Sequence, residues 1–401
     1  MKLPRFTPQA KKAIRIGTMC SLSYLAVYVA KNILSAASPQ MIESGAFTTE
    51  NIGVLSSVYY FSYAAGQLVN GRIGDRIRAK YMISFGLMLA GLTVLLFSML
   101  PGFTFAAYVI YSLTGVALSM IYGPMTKVVA ENTEQPYTTR CSLGYTFSSF
   151  VGSPLAGVLA MFLLWKGVFS VCGIMLIAMG AVCFLVFTRY EHQGLIEYGR
   201  FRREKEQGGS IRVLIERQII KFMLIAILTG IVRTTVVFWL PTYLTQYLGF
   251  APERSAMLFS VITFILSMTT FVAIFLYEML QRNMDKTILL VFCCAAVCFF
   301  CVYLLRQPVF NIALLVLGIL ASNCAASMLW SRYCPSLRDT GMVSGATGFL
   351  DCLSYTAAAI SSTLFANAVS DIGWGNLILV WFGLMVCGIL VALPYRKKQP
   401  V

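Results

Sequence analysis

The sequence predicts an all-α polytopic membrane protein, with about twelve transmembrane helices that form two pseudo-symmetric six-helix bundles. Two features support this prediction. Of the 401 residues, 58% are hydrophobic and only 12% are charged, which is too apolar to cover a water-soluble globule with polar surface. The charged residues also collect in short intervals between long apolar runs, as they do where helices leave a membrane. The chain is therefore expected to be embedded in a lipid bilayer.

The apolar runs are long enough to cross a membrane one by one. A spanning helix needs about 20 predominantly apolar residues, and each run of about that length is predicted to be one transmembrane helix. In chain order the runs are 14–37, 52–70, 81–100, 104–128, 140–164, 167–188, 219–248, 253–280, 286–305, 309–331, 341–369 and 374–394.

Basic residues alternate from loop to loop. Of the 31 Lys and Arg residues, 26 fall at the termini and in every second loop, whereas Lys166, Arg254 and Arg306 lie on the other side. The positive-inside rule then places both termini in the cytoplasm, in a bacterial-type inner (plasma) membrane. The same bias accounts for the net charge of +15 without a nucleic-acid partner.

The sequence gives little support for enzyme, metal or disulfide chemistry. The single histidine, His192, lies in a basic interval, and no nucleophile, base or ligand set accompanies it. The twelve cysteines are scattered along apolar runs, so they are expected to be small buried hydrophobic residues. Four of them share the segment 293–301, but no His or carboxylate lies nearby. We therefore expect no enzymatic activity, no cofactor and no metal. The first helix is expected to stay uncleaved.

One long polar interval divides the chain. Residues 189–218 are rich in Arg, Glu and Gly and are predicted to be a cytoplasmic linker between an N-terminal bundle, 1–188, and a C-terminal bundle, 219–401. A shift of 203 residues aligns Thr49–Ser57 with Pro252–Ser260, and both segments begin a helix with an acid in the first turn. This match indicates a duplication. Parallel repeats of this kind bind their substrates between the halves, near the middle of the membrane.

Three ionisable residues lie well inside predicted helices: Lys31, Arg233 and Asp351. A cation at the bilayer centre costs about 2.5–3.5 kcal/mol on insertion scales, so it needs a partner, a water-filled cavity, or both. Two cations and one acid leave one surplus positive charge, which favours an anionic solute. Two interpretations of Asp351 stay open. It pairs permanently with a cation and fixes helix positions, or it takes up a proton or releases its cation to the solute in each cycle.

Polar and aromatic residues of the predicted helices are candidates for the lining of this site. Such side chains provide hydrogen bonds and stacking for an oxygen-rich solute in a mostly apolar cavity. The candidates are Asn32, Gln67, Tyr122, Tyr145, Trp239, Asn323, Trp330 and Tyr355. Taken singly, each is more often a packing residue or part of the aromatic belt at a membrane surface, and Trp239 in particular fits an anchor near the outer face.

The loop between the second and third predicted helices carries a family signature. Four residues resemble the loop signature of the major facilitator superfamily: Gly71, Asp75, Arg76 and Lys80. Arg78 stands where that pattern has Gly. The resemblance implies the major facilitator fold and a cytoplasmic latch, in which Asp75 contacts a helix N-terminus or a basic group in one conformation and releases it in the other. The shift of 203 residues places Glu278 at the position of Asp75, so Glu278 is assigned to the latch as well. A solvated topogenic loop would explain the basic residues, but not Asp75.

More narrowly, the chain resembles the organophosphate:phosphate antiporter branch of that superfamily, which includes sugar-phosphate and glycerol-phosphate transporters. The segments that carry the likeness are Tyr28–Asn32, Tyr122–Pro124 with Lys127, and Val232–Arg233 with Trp239–Leu244. In that branch one arginine from helix 1 and one from helix 7 clamp the substrate phosphate. The second falls on Arg233, whereas the first falls on Ala30, beside Lys31. The helix-2 lysine and helix-5 histidine of the branch are replaced by Gln67 and Ser149. The resemblance thus carries over one of the two arginines.

These observations favour a secondary active transporter of a small organic anion, phosphorylated or carboxylated, that works by alternating access and is driven by antiport or proton symport. It is expected to be a monomer. Two alternatives stay open. A drug or metabolite:proton efflux antiporter is suggested because the small residues around Gly152 and Gly157 partly resemble a motif of drug:proton antiporters in the same superfamily, with Ser153 where that motif has Gly. Such pumps use acids in a roomy apolar cavity, whereas the cavity expected here is net cationic. A non-transporting solute receptor on the same fold would need cytoplasmic interaction segments beyond the central linker and the short C-terminal tail.

Overall fold

The computed structural model is helical throughout the part of the chain that it describes. It describes residues 7–74, 77–100, 104–134, 137–198, 215, 217–337 and 343–393. All regular secondary structure within these residues is helix. The all-α prediction is therefore confirmed.

The helices group into two compact units. The first comprises Met1–Arg203 together with Phe250–Phe264, and the second comprises Glu204–Gly249 together with Ile265–Val401. The first change of unit falls inside the polar interval 189–218. The sequence gives no sign that Phe250–Phe264 groups with the first unit.

Seven helices of the described chain precede the polar interval, and all of them belong to the first unit. They are α1 (Pro8–Glu43), α2 (Thr49–Gly74), α3 (Ala79–Ser98), α4 (Thr104–Ser119), α5 (Tyr122–Asn132), α6 (Tyr137–Phe162) and α7 (Trp165–His192).

The helices after the polar interval include two π-helical segments, named π1 and π2, that directly continue α-helices. In order they are α8 (Ile219–Gly230), π1 (Ile231–Val236), α9 (Val237–Gln246), α10 (Pro252–Ser267), α11 (Thr269–Met279), α12 (Met284–Leu304), α13 (Pro308–Met328), π2 (Leu329–Tyr333), α14 (Cys334–Ser336) and α15 (Val343–Ala392). Most of α10 groups with the first unit.

The local sequence explains where several helices begin or bend. Thr7 precedes α1, and its hydroxyl accepts a hydrogen bond from the Ala10 N–H at 3.2 Å, which satisfies one of the unpaired donors of a helix start. Asn283 does the same for α12 by accepting from the Lys286 N–H at 3.0 Å. Gly373 has a φ of +76°, which glycine adopts without strain. This residue kinks α15 between the last two predicted spans.

Nine stretches of the described residues are long and apolar enough to cross a membrane. Some are single helices, such as α1, α3 and α7, and others join consecutive helices, such as α4 with α5. The longest, Gly348–Ala392, contains most of the last predicted span and most of the one before it. Helices α2 and α6 lie over the second and fifth predicted spans and are not among the nine. Polar side chains lower the hydropathy of α2, which carries three tyrosines and Gln67. Phe147–Phe162 in α6 is an apolar helical stretch that is shorter than a full span.

Within the first unit, α1 packs along α6, α3 along α7 and α2 along α4. Small residues allow such close approaches between membrane helices. A Cβ atom at Gly152 of α6 would lie 2.4 Å from the Cβ of Tyr28 in α1, so a larger residue would push the two helices apart. A second group of side chains fills the space between α3, α4 and α7, where the rings of Tyr111 and Phe169 lie 5.1 and 4.8 Å from the ring of Phe97.

In the second unit, Asn311 ties the end of α12 to two other helices. This residue is 0% exposed, and its side-chain N–H groups donate to the carbonyls of Val302 at 3.0 Å and Leu305 at 2.8 Å. Its own carbonyl oxygen accepts a hydrogen bond from the hydroxyl of Tyr243 in α9. The last carbonyls of a helix have no partner within the helix, so Asn311 satisfies two of them while linking α13 to α9.

Candidate functional site

Arg233 and Asp351 each lie close to the hydroxyl of Tyr355 in the second unit. Both act electrostatically on the hydroxyl of Tyr355, which is buried one helical turn after Asp351 in α15. Arg233 and Asp351 are themselves half-buried. The structure thus brings together three residues that the sequence proposed separately: a cation, an acid and a phenol.

Small residues on both sides of Arg233 hold its helix against α15. A Cβ atom at Gly230 would lie 2.9 Å from the Cα of Ser354, so only glycine allows α8 to approach this closely. Beyond Arg233, the hydroxyl of Thr235 donates to the carbonyl of Ala358 at 3.1 Å. Arg233 lies between these two contacts, and they fix its position beside α15.

The helix that carries Arg233 is irregular at this residue's own turn and again further along. Arg233 belongs to π1, and π-helical turns are rare segments that occur often at functional sites. Further along, Pro241 in α9 lacks the N–H that would pair with the carbonyl of Val237. In a membrane the backbone groups left over need partners from neighbouring helices or from a cavity.

Lys31 lies against tyrosine rings in the first unit. Its Nζ atom is 4.9 Å from the ring centroid of Tyr63, 5.4 Å from that of Tyr28 and 6.0 Å from that of Tyr60. A cation over an aromatic face gains about 0.5–2 kcal/mol, which offsets part of the cost of placing Lys31 inside an apolar helix. The sequence identified this lysine but not the rings that hold it.

The rings around Lys31 continue into a larger tyrosine cluster. Tyr24 lies 4.9 Å from Tyr28, 5.5 Å from Tyr122 and 5.9 Å from Tyr145, measured between ring centroids. The cluster consists of Tyr24, Tyr28, Tyr60, Tyr63, Tyr122 and Tyr145. Two of these were predicted as lining residues, and the other four were missed. The spacing of Tyr24, Tyr28 and Lys31 at i, i+4 and i+7 is a signal for one helix face and would have found Tyr24 and Tyr28.

Lys80, the last residue of the segment 71–80, forms an ion pair with Glu191 of α7. The Nζ atom of Lys80 forms an ion pair with Oε2 of Glu191 at 2.5 Å, and the Lys80 side chain is only 8% exposed. The hydroxyl of Tyr198 donates to Oε1 of the same carboxylate at 2.8 Å, and the guanidinium of Arg78 lies 3.8 Å from it. Glu191 therefore connects the loop with the end of α7 and with the residues that follow.

The other residues assigned to the latch lie apart from this ion pair or outside the described residues. Gly71 belongs to the last turn of α2, and Glu278 is exposed near the end of α11. Asp75 and Arg76 lie outside the described residues. Lys80 is held by Glu191 within its own unit, and the latch itself stays a prediction.

Two of the predicted lining residues have their side chains in packing roles. The indole of Trp239 is 0% exposed and meets the ring of Phe238 edge-on at 5.3 Å, in line with the packing alternative for this residue. The side-chain N–H of Asn32 donates to the carbonyl of Tyr28 at 2.7 Å, one turn earlier in its own helix.

Three further lining candidates are half-buried. They are Gln67 in α2, Asn323 in α13 and Trp330 in π2. Within the described part of the chain, the side-chain oxygen of Asn323 is buried and has no hydrogen-bond partner. A buried amide oxygen without a partner is costly, and this makes Asn323 the strongest of the three as a group that awaits a ligand.

The family model of the Major Facilitator Superfamily matches residues 20–359 of the chain. The chain belongs to the Major Facilitator Superfamily. Together with the nine membrane-length stretches, this makes it a multi-pass membrane protein, as the sequence predicted. The matched region includes Lys31, Arg233, Asp351 and the loop 71–80.

Curated relatives of this superfamily member lie in the branch that the sequence suggested. The Membrane sensor protein UhpC of Salmonella typhimurium is 25% identical over 252 residues, which is 57% of this chain and 56% of that protein. The Glycerol-3-phosphate transporter of Bacillus subtilis is 24% identical over 271 residues, or 61% of each chain. The Phosphoglycerate transporter protein of Salmonella typhimurium is 22% identical over an alignment of 411 positions, which covers 94% of this chain and 87% of that protein. The chain thus spans little more than half the length of several relatives that it matches.

Solved structures of this superfamily show the same fold. A bacterial homolog of the human lysosomal transporter Spinster, in an inward-facing and unoccupied conformation, superposes with a TM-score of 0.75 over 97% of this chain and 95% of that one, at 13% identity. The D-xylose-proton symporter gives a TM-score of 0.75 over 97% and 99% of the two chains, at 11% identity. At these identities the likeness concerns the fold alone.

Proposed function

We propose that the chain carries small organic anions with a phosphate group, or a carboxylate, across the membrane by alternating access. The relatives support the class of solute, since two of them are named as transporters of glycerol 3-phosphate and phosphoglycerate. Their identities of 24% and 22% support a substrate class rather than one solute.

Arg233 is the observation on which the proposal rests. A half-buried arginine in a membrane helix is expensive, at about 2.5–3.5 kcal/mol on insertion scales, so its retention calls for a role. The guanidinium presents a planar fork of donors that matches two oxygens of a phosphate or carboxylate. Tyr355 lies close to both Arg233 and Asp351, and in this proposal the acid offsets the charge of Arg233 while no solute is bound.

Lys31 is proposed as the second cation that acts on the solute. The branch that this chain resembles has an arginine at the position of Ala30, and Ala30 is buried here. Lys31 follows it directly and is held by ring faces. Such contacts stabilise an ammonium group without cancelling its charge, so Lys31 can still attract an anion.

Asp351 is proposed as the group that couples solute binding to the driving force. In the antiport mode, the solute displaces Asp351 from Arg233, and the solute is exchanged for a second anion that moves in the opposite direction. In the other mode, Asp351 takes up a proton when the solute binds and releases it on the other side. Both modes use the same three residues, Arg233, Asp351 and Tyr355, and they differ in their dependence on a pH gradient.

Transport by the purified protein in proteoliposomes tests the proposal. The assay measures uptake of labelled glycerol 3-phosphate, a sugar phosphate, a sugar acid and a dicarboxylate, with and without a pH gradient and with or without inorganic phosphate inside. We expect uptake of at least one phosphorylated solute, accelerated either by internal phosphate or by the gradient. Uptake of none of these anions, together with transport of an apolar cation, would favour the efflux alternative and overturn the proposal.

Solute sensing is the second candidate function. It is favoured by the similarity to a protein named as a membrane sensor, UhpC. A sensor would bind a phosphorylated solute with the same residues but would show no flux in proteoliposomes. Binding without uptake would therefore replace transport by sensing and keep the assignment of the anion site.

A further inference from the structure

One predicted span changes unit along its length. The run 253–280 forms two helices, α10 and α11, which are separated by Met268. Phe250–Phe264 groups with the first unit, whereas the chain on both sides of it, which includes α9 and α11, groups with the second. The change of unit after Phe264 therefore falls about one helical turn before the break at Met268.

Small residues bring α10 against α6. A Cβ atom at Gly157 of α6 would lie 2.1 Å from the hydroxyl oxygen of Ser260 and 2.8 Å from the carbonyl oxygen of Ala256. Ala256 and Phe259 are 0% exposed, so this face of α10 is covered. Glycine and other small residues allow membrane helices to approach until their backbones touch, and this approach leaves no room for a solute between α6 and α10.

The contact between α6 and α10 can separate without stranding the hydroxyl of Ser260. This hydroxyl donates to the carbonyl of Ala256, in its own helix, at 3.0 Å. Helix α6 is tied to α1, since the side-chain N–H of Gln40 donates to the carbonyl of Ala160 at 2.7 Å, and a buried hydrogen bond of this kind is costly to break. A movement that opens the contact therefore falls to α10.

The break at Met268 provides a point at which the helix bends. The N–H of Met268 donates to the carbonyl of Ile265, and the N–H of Phe271 donates to the carbonyl of Met268, both at 3.0 Å. Hydrogen bonds over three residues tighten a helix locally. The hydroxyl of Thr269 donates to the carbonyl of Leu266, and side-chain bonds to the preceding turn often bend helices. The hydroxyl also gives this carbonyl a partner that does not depend on a regular backbone.

Beyond the break, α11 is held within the second unit. It packs against α13, and the thiol of Cys324 in α13 donates to the carbonyl of Thr269 at 3.7 Å. Cys324 is 0% exposed. The run 253–280 thus consists of one part that groups with the first unit, a break, and one part that is fixed in the second.

We propose that α10 swings on a hinge at Ser267–Thr269, so that its contact with α6 opens and closes while α11 keeps its place against α13. The opening at Gly157 admits or releases a solute on the side of the membrane where α10 begins. The inference rests on the proposed function in one respect, since it takes this movement as a step of alternating access. If α10 and α11 moved as one rigid rod, no bend would be needed and a change at Thr269 would have no effect on the contact.

A thiol at position 260 reports whether the contact is open. Ser260 is 9% exposed, and buried thiols are inert, so Ser260→Cys should react only after α10 leaves α6. The assay measures the rate at which N-ethylmaleimide modifies position 260 of the purified full-length protein in proteoliposomes. Mass spectrometry of the peptides separates this position from the native cysteines. Cys324 is the internal control, because its modification reports a general loosening of the second unit.

Gly157→Ala tests the contact. Its Cβ atom meets the backbone of α10, so in the Ser260→Cys protein it should raise the rate of modification at position 260 about tenfold. It should also slow the uptake of labelled glycerol 3-phosphate about tenfold, because the contact no longer closes. Gly383→Ala is the matched control, since a Cβ atom at Gly383 would have no atom within 4 Å. It should change neither rate.

Thr269→Val tests the hinge. It removes the hydroxyl that bonds to the preceding turn and keeps the shape of the side chain. A straighter helix draws α10 away from α6, so the rate at position 260 should rise about threefold to tenfold. Thr229→Val in α8 is the matched control. Thr229 is 2% exposed and donates in the same way to the carbonyl of Ile225, at 2.7 Å, but it lies away from the hinge and should leave the rate unchanged.

The outcomes separate the hinge from the gating role. Faster modification of position 260 in Gly157→Ala and Thr269→Val, in neither control and with Cys324 unmodified, supports the inference. Equal rates in Thr269→Val and Thr229→Val overturn the hinge, and so does modification of Cys324 that rises together with that of position 260. Equal rates in the two glycine variants, or uptake that Gly157→Ala leaves unchanged, overturn the gating role.

The modification readout is also independent of the proposed function, because it needs no solute. A wild-type protein that carries no phosphorylated or carboxylated anion overturns the proposed function, while the modification rates still decide on the hinge. Absence of the hinge leaves the proposed anion site in place.

Discussion

The ion pair between Lys80 and Glu191 should contribute strongly to the stability of the first unit. The Lys80 side chain is 8% exposed and that of Glu191 is 15% exposed, and their charged atoms lie 2.5 Å apart. Glu191→Gln would leave the ammonium group of Lys80 buried without a carboxylate and would weaken the hydrogen bond from Tyr198. A buried charge or donor that loses its partner costs about 2–4 kcal/mol. We expect this loss in the free energy of unfolding of the Glu191→Gln variant.

The measurement is the free energy of unfolding of the purified protein in detergent, obtained by denaturant titration of wild type and variants. Arg78→Ala is the matched control, because Arg78 belongs to the same loop and lies 3.8 Å from the same carboxylate, but its side chain is 62% exposed. An exposed pair of this kind contributes about 0–1 kcal/mol. A double-mutant cycle with Lys80→Met isolates the coupling energy.

An equal effect of Glu191→Gln and Arg78→Ala would refute this reasoning. The reasoning would also be refuted if Glu191→Gln lowered the free energy of unfolding as much in the Lys80→Met variant as in wild type. The two residues would then act independently. The result also bears on the latch, because a lysine that is firmly paired within its own unit is not available as a partner that changes during the cycle.

Three further predictions concern other parts of the chain. Burial and the Glu191 carboxylate raise the pKa of Tyr198 above its ordinary value of about 10. The stability that the neutral phenol contributes is therefore complete below about pH 10 and is lost as the pH rises beyond it, and Tyr198→Phe should flatten this alkaline decline in thermal stability. Asn311→Ala should lower the free energy of unfolding by about 2–4 kcal/mol, because it leaves the buried contact at the Val302 carbonyl, the part-buried one at the Leu305 carbonyl and the Tyr243 hydroxyl without their partner. Under proton coupling, Asp351→Asn should bind solute but lose accumulation driven by a pH gradient, and accumulation that persists in this variant would rule out a proton on Asp351.

Much of the fold follows from the sequence, because membrane helices are set by simple local rules. A backbone in lipid must satisfy its own hydrogen bonds, so each long apolar run forms a helix, and every predicted run overlaps one or more of the described helices. The break at Gly373 falls between the last two predicted runs. The wide turns π1 and π2 were not predicted, because apolar patterning carries no information on such irregularities.

The charged residues of the candidate site could be predicted from the sequence, but most of the residues that contact them could not. A lysine, an arginine and an aspartate inside apolar runs stand out by their cost, and the proximity of Arg233, Asp351 and Tyr355 agrees with that interpretation. The partner of Lys80 is 111 residues away in the chain, and no local pattern points from one to the other. Tyr24, Tyr28, Tyr60 and Tyr63 were missed because a single tyrosine in a membrane helix is usually packing material, and their grouping is seen in the contacts with Lys31 and between rings.

The affinity of the Arg233→Ala variant for a phosphorylated solute is the most direct test of the account. Loss of a charge-assisted contact costs about 2–3 kcal/mol, which corresponds to an affinity about 30- to 150-fold lower. Arg332→Ala is the control, since Arg332 is another arginine in a π-helical segment, exposed and lying 4.8 Å from the ring of Tyr277. The account predicts that Arg233→Ala inserts normally and loses solute binding while Arg332→Ala keeps it. Unchanged binding by Arg233→Ala would contradict the assignment of the anion site.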